Sequence, residues 1–157
     1  GMHSGDISLG NVGGADHFEY RPVGDVVNTA SRLESLNKQL GTRILVSREV
    51  LIGIDSFLAR EIGKFILAGK SKPVTIYELI CHIEDSTQKQ KDFCDVFSRA
   101  LEAYAKQSWE EAAGKFKKAI TIIPADGPSS FYLEQCSKLK SDPPGDGWKG
   151  YVRIDSK

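Results

Sequence analysis

The stretch EYRPVGDVVNTASRLE, residues 19–34, decides how this chain is read. A strand pattern ends inside it and a helix pattern begins. Phe18 and Tyr20 alternate with Glu19 and Arg21, Gly24-Asp25 stops the strand, and Val26, Ala30 and Leu33 follow at helical spacing. The apolar stripe runs on through Leu36 or Asn37 to Leu40, where Gly41 supplies a left-handed end. This predicts a helix over residues 26–40, capped by the Asp25 carboxylate. Asn28 and Arg32 are four residues apart and share the face opposite the stripe. A carboxamide can orient a hydroxyl or ring oxygen, and a guanidinium offers forked donors that suit phosphate oxygens. Chemistry at phosphorus relies on such a pre-positioned positive clamp. Spacing by itself favours a plainer reading, two polar residues on the solvated face of an amphipathic helix.

Working outward, residues 7–12 and 17–23 read as two strands of a hairpin, with the turn over 12–16. Residues 42–47 (TRILVS) read as a buried strand, and Ser47 as the cap of a short helix over 48–52. Residues 57–67 read as one or two strands broken near Gly63, and a turn at 69–73 leads to a last strand over 74–80. The order β-β-α-β-(α)-β-β predicts an α+β fold with helices layered on one sheet. Beyond residue 88 the pattern becomes helical, with helices predicted over 91–106, 109–123 and 129–139. A turn near Gln107-Ser108 separates the first two, and Pro124 ends the pair. Residues 142–147 stop the last helix, and the remaining tail reads as extended, with Trp148 and Tyr151 able to pin it back. The chain is thus expected to divide into residues 1–84, 88–140 and 141–157.

Composition narrows the function. Among 157 residues, 21 Lys and Arg balance 21 Asp and Glu, which excludes a nucleic-acid binder driven by bulk positive charge. No apolar run approaches the roughly 20 residues that span a bilayer, and no secretory signal pattern opens the chain. Cys81, Cys94 and Cys136 are odd in number and widely spaced, and His3, His17 and His82 show no ligand spacing. The expectation is therefore no metal site in these residues, reduced structural thiols and a cytoplasmic setting.

Residues 1–82 resemble the second half of a class III adenylate/guanylate cyclase catalytic domain. The resemblance is carried by Gly1-Met2-His3-Ser4-Gly5, Gly10-Asn11-Val12-Gly13, Glu19-Tyr20, Val23-Gly24-Asp25-Val26-Val27-Asn28, Ala30-Ser31-Arg32-Leu33-Glu34 and Ile44-Leu45-Val46-Ser47. The Gly69-Lys70 turn before Thr75-Ile76-Tyr77-Glu78 also fits. The run from Gly24 to Glu34 is its most specific part. The resemblance implies a partial ferredoxin-like cyclase fold. It also implies an enzyme making a 3′,5′-cyclic nucleotide and pyrophosphate from ATP or GTP in signal transduction, with Mg or Mn, at composite sites between head-to-tail subunits. By the same resemblance Asn28 would orient the ribose and Arg32 would stabilise charge on phosphorus. Lys70 would contact the terminal phosphates, against the plainer reading of a solvated turn lysine. Arg21 stands where the family often touches the purine with Asp or Thr, which leaves ATP against GTP open.

The family's metal-binding aspartates and lysine-type purine reader lie in earlier segments with no counterpart here, so the resemblance implies a C-terminal part that is inactive alone. Homodimerisation or wider self-association, through an exposed apolar face and an open sheet edge, follows as an expectation. Phe97, Ala100, Leu101, Tyr104, Ala112, Phe116, Ala119 and Pro124 resemble a single tetratricopeptide-type helix pair. One such pair cannot bury its own face, so packing against the rest of the chain is favoured over peptide binding. A tail of this kind, ending like Trp148-Lys149-Gly150, resembles those of bacterial sensor cyclases, whose parent chains can carry a membrane anchor. This stretch itself is expected to contact no membrane. The rival reading is a catalytically silent, cyclase-like module that dimerises and docks through its helical tail.

Overall fold

A computed structural model describes residues 1–14 and 17–154; for Val12, His17, Phe18, Tyr20, Arg21 and Val23 the description covers backbone only. Strands β1 (Ser8–Gly14) and β2 (His17–Val23) form an antiparallel ladder in register from Ser8↔Val23 to Gly14↔His17. β1 thus continues through Gly13 and Gly14, two residues expected in the turn, and residues 15–16 lie outside the described residues. Helix α1 (Asp25–Leu40) follows directly and ends on Gly41 in the left-handed conformation. Its inner stripe is Thr29, Leu33, Leu36, Asn37 and Leu40, all buried. Thr29 joins it because its hydroxyl donates to the Asp25 carbonyl at 2.8 Å, so its polar atom is satisfied inside the helix.

A second sheet holds β3 (Leu45–Ser47), β4 (Phe57–Ile66), β5 (Val74–His82) and β6 (Tyr151–Arg153) in the order β3-β5-β4-β6. The expectation of a single sheet is corrected here. The β1–β2 ribbon is a separate two-stranded sheet among the described residues. The strand expected over 42–47 shortens to its buried end, while β4 is one strand whose register shifts at Glu61/Gly63 rather than breaking. The tail expected to be merely extended forms β6, parallel to β4 with Phe65 opposite Val152. Ser47 makes no side-chain cap on the 3-10 turn Arg48–Leu51; its hydroxyl is hydrogen-bonded to His3 Nδ1 at 2.7 Å.

Helices α2 (Gln88–Ala105), α3 (Trp109–Ile122) and α4 (Gly127–Ser141) build the second half. α2 opens with a capping box in which the Thr87 side chain and Gln90 satisfy each other's backbone N–H groups. α4 is capped by Asp126, which accepts from Ser129 N at 2.9 Å, with Pro128 in its first turn. At Gly127 any β-carbon would stand 1.8 Å from the Leu40 carbonyl, so only glycine lets α4 start against the end of α1. The apolar faces of α2–α4 dock on the rest of the chain: Phe97, Tyr104, Phe116 and Tyr132 share one buried cluster with Leu33, Leu36, Phe65, Ile76 and Val152. No helix among the described residues is long and apolar enough to cross a membrane.

Candidate active site

α1 presents two unlike faces. Leu33 and Leu40 are buried at 0% and 1% exposure, while Asn28, Ser31, Arg32, Ser35, Leu36 and Gln39 line a cleft of about 510 Å³. These positions continue the 28/32 spacing along one side of the helix, so the cleft runs down its length. Its other wall is Leu67, Ala68 and Gly69, which follow β4, together with Ile154, which follows β6. Asn28 is exposed and Arg32 half-buried. No carboxylate is among the described lining residues, which leaves Arg32 the formal charge of the cleft.

The turn after β4 is packed on that guanidinium. Gly69 has φ +69°, and a β-carbon there would meet Arg32 Nη2 at 3.2 Å. A side chain at this position would both strain the backbone and crowd the arginine. Lys70 N donates to the Leu67 carbonyl at 2.9 Å, closing the turn. The Lys70 ammonium reaches the Asp25 carboxylate at the start of α1 and, by hydrogen bonding to it, holds its pKa below the usual carboxylate range. Asp25 therefore does not cap α1 as expected. The cap position falls on Gly24, and Lys70 has taken the carboxylate.

The structure thus brings together Asn28, Arg32 and the 67–69 turn, with Lys70 beside them at the helix start rather than on the cleft wall. The Arg21 side chain lies outside the described residues. Ser31, Ser35 and Gln39 were legible in principle, as the i+3, i+7 and i+11 neighbours of Asn28. Nothing local marks Ile154, whose place depends on a strand pairing 88 residues from Ile66.

Residues 1–81 match the family model of the adenylate and guanylate cyclase catalytic domain. The chain belongs to this cyclase family. It is 33% identical over 141 residues to the terminal-differentiation specific adenylate cyclase of Dictyostelium discoideum, covering 87% of this chain and 7% of that protein. That match is longer than the cyclase domain's 81 residues, so the likeness takes in the helical half. Against adenylate cyclase 1 of Rhizobium meliloti the chain is 38% identical over 81 residues, covering 51% of this chain and 12% of that one. A crystal structure of the adenylyl cyclase CyaB from P. aeruginosa is similar at 33% identity and a TM-score of 0.44, covering 55% of this chain and 41% of that one. The chain therefore spans a small part of the curated cyclases it matches.

Proposed function

We propose that this cyclase-family chain supplies the ribose- and phosphate-binding side of a composite nucleotidyl cyclase site. The reaction takes ATP or GTP to the 3′,5′-cyclic nucleotide. The ribose 3′-oxygen forms a bond to the α-phosphorus, the bond from that phosphorus to the bridging oxygen of pyrophosphate breaks, and the 3′-hydroxyl proton leaves. The observation that carries the reading is the placement of Asn28 and Arg32 one helical turn apart on the wall of one cleft, with no carboxylate among its described lining residues. In this reading the Asn28 amide orients the ribose, and the Arg32 guanidinium takes up charge developing on the phosphoryl oxygens. Lys70 exchanges Asp25 for the terminal phosphates.

The resemblance to the family also brings Mg or Mn. Among the described residues no three His, Cys, Asp or Glu side chains are grouped to hold an ion, so these residues do not fit a metal centre. The proposal assigns that side of the site to a partner subunit, in a cytoplasmic homodimer of the parent enzyme. Exposed Leu9 on β1 and Ile7 just before it, at 56% and 52%, give apolar surface for such an assembly. The helical half is read as a tetratricopeptide-like pair whose face is already used in docking. In the intact parent, Arg32→Ala should lower turnover by about 10²- to 10³-fold, the range for removing a transition-state donor, with an unchanged thermal transition. An unaltered rate of cyclic nucleotide formation would remove Arg32 from the mechanism. This chain alone, given ATP and Mn, should form no cyclic nucleotide; measurable product would overturn the composite site.

A further inference from the structure

The last residue of β4 is held by the tail. Strand β5 pairs with β4 only as far as Phe65↔Val74, whereas β6 pairs one residue further, Ile66↔Arg153. Ile154 N then donates to the Ile66 carbonyl at 3.0 Å. The residues that follow Ile66 are Leu67, Ala68 and Gly69, the wall that faces Arg32 across the cleft, and Ile154 itself stands in that wall. The tail is in turn fixed to the helical half. The Trp148 ring lies edge-on to Tyr104 at 5.2 Å and against Trp109 at 5.4 Å between centroids, and its indole N–H donates to the Tyr151 carbonyl at 3.0 Å.

These contacts form a continuous mechanical link. It runs from α2 and α3 through Trp148 to β6, from β6 to the end of β4, and from there to the turn beside the Arg32 guanidinium. We infer that β6 is a strap by which the docked helical half sets the nucleotide cleft, with Ile154 as a positioning residue for the 67–70 turn. The inference rests on the nucleotide-site reading above and adds a control point to it. With the strap in place, Gly69 lies near enough to Arg32 that a β-carbon would crowd the guanidinium, and Lys70 is presented at the start of α1. With Trp148 out of its socket, Ile66 loses its ladder partner and the wall is free to move off the arginine. The binding-competent arrangement then becomes a fraction of the population, and apparent affinity falls by that fraction.

The test uses this chain and ATP without added metal, followed by amide chemical shifts. Wild type should show saturable shifts at Asn28 and Gly69, and Arg32→Ala should abolish them. Trp148→Ala, at a residue outside the described cleft lining, and Ile154→Ser should each raise Kd by about fivefold if the closed arrangement drops to about one-fifth of molecules. Ile154→Val should bind as wild type does, since it keeps both strand pairing and apolar wall. In ATP-free spectra Trp148→Ala should shift the amides of residues 67–70 and leave those of residues 29–36 in place. Equal affinities in wild type, Trp148→Ala and Ile154→Ser would overturn the strap and leave the nucleotide reading standing. No binding by wild type would overturn the nucleotide reading. The ATP-free amides then decide the strap alone: unmoved, they overturn it; moved, they support it. If Trp148→Ala fails to fold, Trp148→Phe, which removes the indole N–H, takes its place in each comparison.

Discussion

Arg60 carries its charge into the centre of the protein, at 5% exposure, between the rings of Phe93 and Phe97 at 4.5 and 4.6 Å. Its guanidinium donates to Glu78 Oε2 at 2.7 Å and to both Asp126 oxygens at 3.1 and 2.6 Å. Burial by itself lowers its pKa, but the two carboxylates more than offset this and raise it above the ordinary arginine value. One side chain therefore ties β4 to β5, α2 and the cap of α4. Arg60→Ala would leave two carboxylates with little exposure and no cation, and should cost about 3–5 kcal/mol. A urea unfolding midpoint that reports a loss below about 1 kcal/mol would show that the node is relieved some other way. Arg32 is the same residue type put to the opposite use, half-buried in a cleft with no carboxylate among its described lining residues. The difference was partly legible. Arg32 and Asn28 are related by helix geometry, which spacing reveals, whereas the partners of Arg60 are 18 and 66 residues away and only folding selects them.

Among elements, α2 shows local chemistry surviving into the fold. Thr87 Oγ1 accepts from Gln90 N at 3.2 Å, and Gln90 Oε1 accepts from Thr87 N at 2.8 Å. Thr87→Ala should destabilise the protein by about 1 kcal/mol, read as a lower urea midpoint with the slope unchanged; no shift would mean that water replaces the cap. Two other helix starts went differently. Asp25 and Ser47 are both good capping residues by type, yet neither caps: the cap position of α1 falls on Gly24 with the Asp25 carboxylate on Lys70, and the Ser47 hydroxyl bonds His3. The Asp25 carboxylate meets a cation 45 residues away, a charge-assisted partner that no local pattern names. β6 was illegible for a similar reason. Three residues carry no usable period, and their strand character comes from the open edge of β4.

For the whole molecule, one buried cluster runs from α1 through β3, β4 and β5 to α2–α4 and β6, so the two halves that differ in sequence pattern share their core. Burial pushes the thiols of Cys94 and Cys136 from an ordinary 9.0 up to about 11. Both folded values lie above the unfolded ones, so from about 9 to about 11 the unfolded chain has released protons that the folded chain keeps. Stability should be intact below that window and fall as pH rises through it. The buried hydroxyls of Tyr104 and Tyr132, also pushed upward by burial, act in the same direction. The urea midpoint should be lower at about pH 10.5 than at about pH 8, with a smaller drop when both cysteines are replaced by alanine; an equal or higher midpoint would contradict the assignment.

Local patterning was enough to set the strand-to-helix junction at Gly24, the two faces of α1, the one-turn spacing of Asn28 and Arg32 and the α+β order of elements. Each of these depends on residues within a few turns of one another, where backbone periodicity acts without help. The tertiary structure alone decided that the face opposite the stripe is a cleft rather than open solvent, that Lys70 sits on Asp25, and that Ile154 closes the wall. Those outcomes depend on contacts between segments 28 to 126 residues apart in the chain, which packing selects and no local pattern encodes.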